Sequence, residues 1–459
     1  MNYIPRHIDK FLLEWKDDNL RKPLLLRGAR QVGKSSSVRN LGKAFKYFVE
    51  INLEKRPDAI PIFKTGTDVH EIAERLALLT GLPIIPGETL LFIDEIQFSA
   101  DAIRMLRYFK EDFPELHVVA AGSLLEFALA NLSSFGVGRI TSLFMYPLSF
   151  KEFLLASGKQ TWVDAIENAG VESPLFLALH NNLVECFKTF LLVGGMPASV
   201  AVWLENRSYL KCSGIQEDIQ QTYFDDFSKY SAKVNPELLR ATLQSVIAQN
   251  GAKFVYSKGM ESYKIADVKE ALQMLCSAGL IYEVNMTSAN GLPLGSEVNT
   301  KFKKYIFLDT GLLLRIQSLD MGSDGMMEEF ILTSSETDLV NKGALAEMFA
   351  GLEFIKNGNT RLRENLFYWE NTSRGSSAEV DYITAYRMSV LPIEVKSGVS
   401  GKMKSLRMFM ESKSLRRAIR TSLENFGKIE LPTTDGSDHS SVINIIPLYA
   451  IYNYRHYLS

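Results

Sequence analysis

Residues Gly28-Ala29-Arg30-Gln31-Val32-Gly33-Lys34-Ser35 place two glycines, a lysine and a serine at the spacing G-x-x-x-x-G-K-S. Glycines let the backbone curl so that successive N–H groups face one concavity. A helix opening at the end of that curl adds partial positive charge. Such a loop is built to hold phosphates. Gly28, Ala29, Arg30, Gln31, Val32 and Gly33 would cradle them, with Ser36 beside them, and Lys34 would reach the β- and γ-phosphates of ATP. Ser35 would ligate Mg²⁺. The motif follows an apolar run at 23–27 and precedes helical periodicity at 34–44, which is the context it requires.

A second string, Leu90-Leu91-Phe92-Ile93-Asp94-Glu95, reads as an apolar strand ending in two acids, sixty residues beyond Lys34. Asp94 would hold Mg²⁺, directly or through water, and Glu95 would polarise the attacking water. Together the two strings predict ATP hydrolysis rather than nucleotide clamping alone. Ser123, after the next apolar run, either senses the γ-phosphate or caps a helix. Arg139 has two readings as well: stabilisation of transition-state charge, in its own subunit or a neighbouring one, or an ordinary surface salt bridge.

A third constellation lies near the C-terminus. Glu394 and Lys396 alternate onto one strand face, and a hairpin across 386–389 would set Asp381 beside Glu394. Two carboxylates and a lysine suit metal-assisted phosphodiester cleavage, with a second Mg²⁺ or a Mn²⁺ held by Asp381, Glu394 and a third acid. Glu347, on a helix at 342–357, would supply that acid, and Glu379 is an alternative ligand. The competing reading is a solvated hairpin with cross-strand salt bridges. Residues 401–420 hold seven basic residues against one acid, which suits either a phosphate-binding face for DNA or RNA or a solvated helix.

Five apolar runs, at 23–27, 47–53, 89–93, 117–121 and 140–146, alternate with helical stretches at 34–44, 68–80, 101–112 and 124–131. That alternation predicts an α/β fold with a parallel sheet covered on both faces. From 149 to 246 the periodicity is nearly all helical. Residues 252–308 give helix, strand, long turn, strand, the outline of a winged helix. Residues 318–341 read as a linker. Strands at 366–370, 378–385 and 390–396 and a basic helix at 402–412 follow. The expected domains are a nucleotide-binding 1–155, a helical 156–246, a winged-helix-like 247–317 and an α/β domain at 342–459.

The chain has 459 residues, 46% hydrophobic and 23% charged, which excludes a mostly disordered, collagen-like or coiled-coil protein. Fifty-one basic residues against 53 acidic ones leave a net charge of −2, which argues against a bulk nucleic-acid coat or a polybasic membrane protein. Cys186, Cys212 and Cys276 are too few and scattered for a disulfide framework or zinc site, which suits a reducing compartment. The N-terminal apolar run is three residues, and no stretch reaches the roughly 18 apolar residues of a membrane span. The expectation is a cytoplasmic protein without a membrane partner.

The strings above, with Gly138-Arg139, Tyr146-Pro147-Leu148-Ser149-Phe150-Lys151-Glu152-Phe153, Gly194-Gly195-Met196-Pro197, Phe307-Leu308-Asp309-Thr310-Gly311-Leu312 and Glu379-Val380-Asp381-Tyr382, resemble the prokaryotic AAA+-type P-loop ATPases of the archaeal-ATPase and signal-transduction ATPase group that carry a C-terminal domain of unknown function. The resemblance implies an AAA+-like core, a helical lid, a winged helix and a restriction-endonuclease-like domain of the PD-(D/E)xK type. Asp381 follows Val380 rather than proline, a departure from that motif's short form. Two functions follow as expectations: an ATPase controlling a nucleic-acid-processing or nuclease-like domain, or a nucleotide-dependent switch whose C-terminal domain binds a protein partner or a second copy of the chain.

Overall fold

The computed structural model describes residues 3–123, 125, 129, 138–228, 234–319, 342–371, 378–398, 403–431 and 441–458. Most of the expected helix at 124–131, nearly all of the linker at 318–341 and Lys402 lie outside them. The chain divides into two compact units. The first comprises Met1–Leu148 with two short returning segments, Ser277–Leu280 and Asn359–Arg363; the second holds the rest.

In the first unit five strands form a wholly parallel sheet: β1 (Leu24–Arg27), β2 (Tyr47–Asn52), β3 (Thr89–Asp94), β4 (His117–Ala121) and β5 (Thr141–Phe144). Their order is β2-β3-β4-β1-β5, so β4 stands between the strand before the phosphate loop and the strand bearing Asp94. Every residue of β3 and β4 is buried, as strands covered on both faces must be. Helix Ala100–Asp112 turns Ile103, Leu106 and Phe109 onto a core that includes Leu91, Ile93 and Val118. Each such side chain contributes about 1.5–3 kcal/mol by leaving water. Ser99 starts this helix by accepting from the Ala102 N–H.

The second unit begins with helices. Ser149 and Glu152 form a reciprocal capping box that starts helix Phe150–Ala156. Helices Leu177–Val193, Pro197–Asn206, Tyr209–Phe227 and Pro236–Ala248 follow. Then comes an eight-stranded mixed sheet: β6 (Ile281–Thr287), β7 (Val298–Phe307), β8 (Leu366–Glu370), β9 (Glu379–Tyr386), β10 (Ser389–Val395), β11 (Arg417–Ser422), β12 (Gly427–Leu431) and β13 (Ser441–Pro447). The order is β12-β13-β11-β10-β9-β8-β6-β7.

This topology differs from the expected separation at 317/342. The β6–β7 hairpin of the winged-helix outline is the edge of the same sheet, because β6 pairs in parallel with β8. An isolated hairpin is marginal in water, and pairing with β8 removes one of its open edges. Strand β7 is also longer than expected, ten residues starting at Val298.

Candidate active site

The phosphate loop joins β1 to helix Lys34–Gly42, as its spacing requires. Gly28 has φ +140°, and a Cβ there would lie 2.1 Å from the Met145 carbonyl oxygen, so only glycine fits. Gly33 enters the helix in the left-handed region. Lys34 Nζ donates to the carbonyls of Gly28 (2.9 Å) and Ala29 (2.8 Å), folding over the loop it serves. Arg6, which carried no signal in the sequence, braces the loop by donating to the Val32 carbonyl at 2.8 Å and to Tyr146 O at 2.6 Å.

Ser35 Oγ donates to Asp94 Oδ2 at 3.0 Å, so the two expected Mg²⁺ ligands meet from different elements. Asn52, at the end of β2, donates to the same oxygen at 3.3 Å. A hydroxyl and a carboxylate in contact at a helix N-terminus fit a hard, oxygen-liganded cation. Burial, then the neighbouring Glu95 charge, raises the Asp94 carboxyl above its ordinary range. A dication would relieve that penalty.

Glu95 takes a left-handed backbone (φ 51°, ψ 44°), uncommon outside glycine and found where function holds a side chain in place. Its Oε2 accepts from Gln97 Nε2 and, at 3.4 Å, from Ser123 Oγ. Ser123 therefore bonds the candidate base across the β3–β4 boundary. Gln97 Oε1 is buried without a hydrogen-bond partner. Gln97 stands two residues past the acid pair and ends the string Phe92-Ile93-Asp94-Glu95-Ile96-Gln97 that carries the family resemblance, but the sequence reading gave it no role of its own. Arg139 lies apart: its Nε donates to Glu111 at 3.0 Å on a half-exposed surface, the salt-bridge alternative of the two readings.

Burial pushes the Lys34 amine down to about 8, with Glu95 and Asp94 opposing. A bound phosphate favours the charged amine, so ATP binding should take up a proton just above pH 8. Affinity is then full below that point and falls as pH rises through it. Calorimetric titrations in buffers of different ionisation heat measure this uptake; equal heats in all buffers would rule it out.

In the second unit Asp381 and Glu394 come together on β9 and β10 as the hairpin spacing implies, one pair beyond Tyr382↔Ile393. Asp381 Oδ2 accepts from the Val395 N–H at 2.7 Å, and Lys396 Nζ donates to Glu394 Oε1 at 2.5 Å. Burial pushes Glu394 up to about 7, the Asp381 charge adding to it. Among the described residues, carboxylate oxygens of Glu347, Glu379 and Asp381 lie within 4.8 Å of one another. Lys304 of β7, absent from every sequence motif, reaches Glu347 and Glu379.

Half of the six described basic residues of this stretch are engaged with the rest of the fold. Arg420 is buried against Glu424 (3.1 Å), Arg417 donates to Leu458 O (2.7 Å), and Lys413 donates to Asn290. Lys404, Arg407 and Arg416 remain exposed.

Two further motifs prove structural. Asp309 is fully buried; its Oδ2 accepts from Gly195 N–H at 2.6 Å and its Oδ1 from Leu312 N–H at 3.0 Å. Gly194 has φ +71°, and a Cβ there would stand 2.2 Å from Asp309 Oδ1. The Gly194-Gly195 turn and the Asp309 cap are thus one joint.

Residues 20–154 match a family described as AAA domain. Residues 184–323 and 342–450 match two further families, each described as a domain of unknown function (DUF8612 and DUF4143). No curated protein matches the chain. Solved structures similar to it include the Walker-type ATPase of Pyrococcus abyssi (14% identity, TM-score 0.44, 69% of this chain and 96% of that one). The ORC1 protein of Aeropyrum pernix in complex with DNA is similar at 14% identity and TM-score 0.30, over 70% of this chain and 95% of that one. RuvB of Thermotoga maritima is similar at 16% identity and TM-score 0.31, over 64% of this chain and 91% of that one. With the loop geometry, the family match makes residues 20–154 a P-loop ATPase domain of AAA type.

Proposed function

We propose that this protein is a Mg²⁺-dependent ATPase whose nucleotide cycle controls its C-terminal α/β domain. The observation that carries the reading is the Ser35–Asp94 contact beside Glu95, which sets two oxygen ligands for one cation and a base at one loop. The loop N–H groups and Lys34 bind and orient the phosphates. Ser35 and Asp94 would hold Mg²⁺, which neutralises charge on the phosphates when bound. Glu95 accepts the proton of the attacking water. Ser123 and Gln97 hold its carboxylate meanwhile, so the base is positioned before substrate arrives.

The second unit is read as the responding element. Residues 156–246 would serve as its helical lid. The winged-helix outline of 247–317 supports a nucleic-acid or protein partner, and its hairpin joins the sheet that carries Asp381 and Glu394. No helix among the described residues is long and apolar enough to cross a membrane.

Purified protein should hydrolyse ATP only with Mg²⁺, and Lys34→Ala should remove turnover by weakening phosphate binding. Turnover that survives Lys34→Ala would overturn the assignment. Light scattering with ADP and with a non-hydrolysable ATP analogue tests the control: a change in mass or in partner binding is expected, and identical behaviour in both states contradicts it.

A further inference from the structure

The second unit places oxygens of Glu347, Glu379 and Asp381 within 4.8 Å of one another, the spacing of a hard-cation ligand set. A cation already stands there. Lys304 enters from β7 with only 1% of its side chain exposed, and its Nζ donates to Glu347 Oε1 at 2.7 Å and to Glu379 Oε1. The ammonium lies 5.2 Å from the centroid of the Tyr368 ring, whose electron-rich face is a further favourable partner. Helix Lys342–Lys356 brings Glu347 to the site, and the Tyr382 hydroxyl donates to the Glu347 carbonyl at 2.8 Å, anchoring that turn to β9.

We propose that Lys304 is the resident cation of this acidic cluster, so that the C-terminal domain keeps a nuclease-like carboxylate arrangement without a divalent metal and acts by binding rather than by cleaving phosphodiesters. The physical reason is charge and access. Glu347 is buried and Glu379 and Asp381 are partly buried, and carboxylates gathered this closely need a counter-charge, which a tethered lysine provides without drawing an ion from solvent. A dication entering the cluster would meet the Lys304 ammonium, with that of Lys396 held on Glu394, in a low-dielectric interior. The Lys304 side chain is buried, and both of its ion pairs hold the ammonium at the cluster. The feature that would favour a metal is Glu394 Oε2, buried without a hydrogen-bond partner. It therefore decides the overturning outcome. The proposal stands independently of the ATPase assignment, because it concerns other residues in the other unit.

The test counts bound Mn²⁺ by electron paramagnetic resonance on the full chain carrying Asp94→Asn, which removes the phosphate-loop ligand. No bound Mn²⁺ is expected. Adding Lys304→Ala should create one Mn²⁺ site per chain, with affinity raised at least about tenfold. Mn²⁺ bound by the Asp94→Asn chain and lost on adding Glu394→Gln or Asp381→Asn would overturn the proposal, as would a folded Lys304→Ala chain that binds none. If Lys304→Ala does not fold, the first arm still decides. Wild-type protein with Mn²⁺ should also leave DNA and RNA intact in every nucleotide state; cleavage that disappears in Asp381→Ala overturns the proposal.

Discussion

Glu95→Gln should lower ATP turnover by about 10²- to 10⁴-fold while leaving ATP binding close to wild type. The carboxylate sits beside Asp94, bonded to Gln97 and Ser123. A glutamine keeps the size and one acceptor oxygen but cannot take a proton from water. The phosphate loop and Lys34 are untouched, so binding and turnover separate. Steady-state hydrolysis alongside binding of a fluorescent ATP analogue measures both. A Glu95→Gln protein that retains wild-type turnover would remove Glu95 from the chemistry. The left-handed backbone at Glu95 supports the assignment, because such a conformation in a non-glycine residue costs energy and persists only where neighbours hold it.

The second large effect is on stability. Asp309→Ala should destabilise the second unit by about 3–5 kcal/mol. Asp309 is wholly buried, and burial raises its carboxyl above the ordinary range, while Lys356 and the N–H groups of Gly195 and Leu312 oppose. Removing the carboxylate leaves those N–H groups without their acceptor and takes a counter-charge from Lys356. The same lysine sits beside Glu353, which burial pushes up to about 7 and which accepts from Phe150 N–H at 3.1 Å. The loss should therefore reach the start of helix Phe150–Ala156. Urea unfolding followed by far-ultraviolet circular dichroism gives the value. Asp309→Asn, which keeps one acceptor, should cost less. A midpoint for Asp309→Ala equal to wild type would show that the joint contributes nothing.

The first unit was the more legible part, for a reason of range. Its five strands emerged within a residue or two of the expected bounds, apart from the shorter β5. A buried parallel strand must be apolar on both faces, and the helices between carry their own periodicity. The loop and the Asp94-Glu95 pair were legible because glycine freedom, helix polarity and carboxylate chemistry are local properties of residue type. In the second unit the helix at 342–357 and β8 to β10 were legible for the same reason. Strands β11, β12 and β13 were not. The run that became β11, Arg417-Ala418-Ile419-Arg420-Thr421-Ser422, looks basic and helical in charge pattern, and its pairing with β10 and β13 is parallel and distant in sequence.

By itself the sequence determined which residues could carry chemistry: Gly28 to Ser35, Asp94 and Glu95, and the Asp381, Glu394 and Lys396 group. The tertiary structure decided what surrounds them. Arg6 and Asn52 were drawn to the phosphate loop, and Ser123 and Gln97 to Glu95, by packing of the parallel sheet. The largest decision was made at the acidic cluster. Asp381, Glu394 and Glu347, with Glu379 as the alternative ligand, spell a metal site in one dimension. The order β9-β8-β6-β7 carries Lys304 across to them from 75 residues before Glu379. Residue type sets which charges exist, but only the sheet order sets which opposite charge shares their low-dielectric space. In that space the nearest cation, here a lysine, determines what the carboxylates can bind.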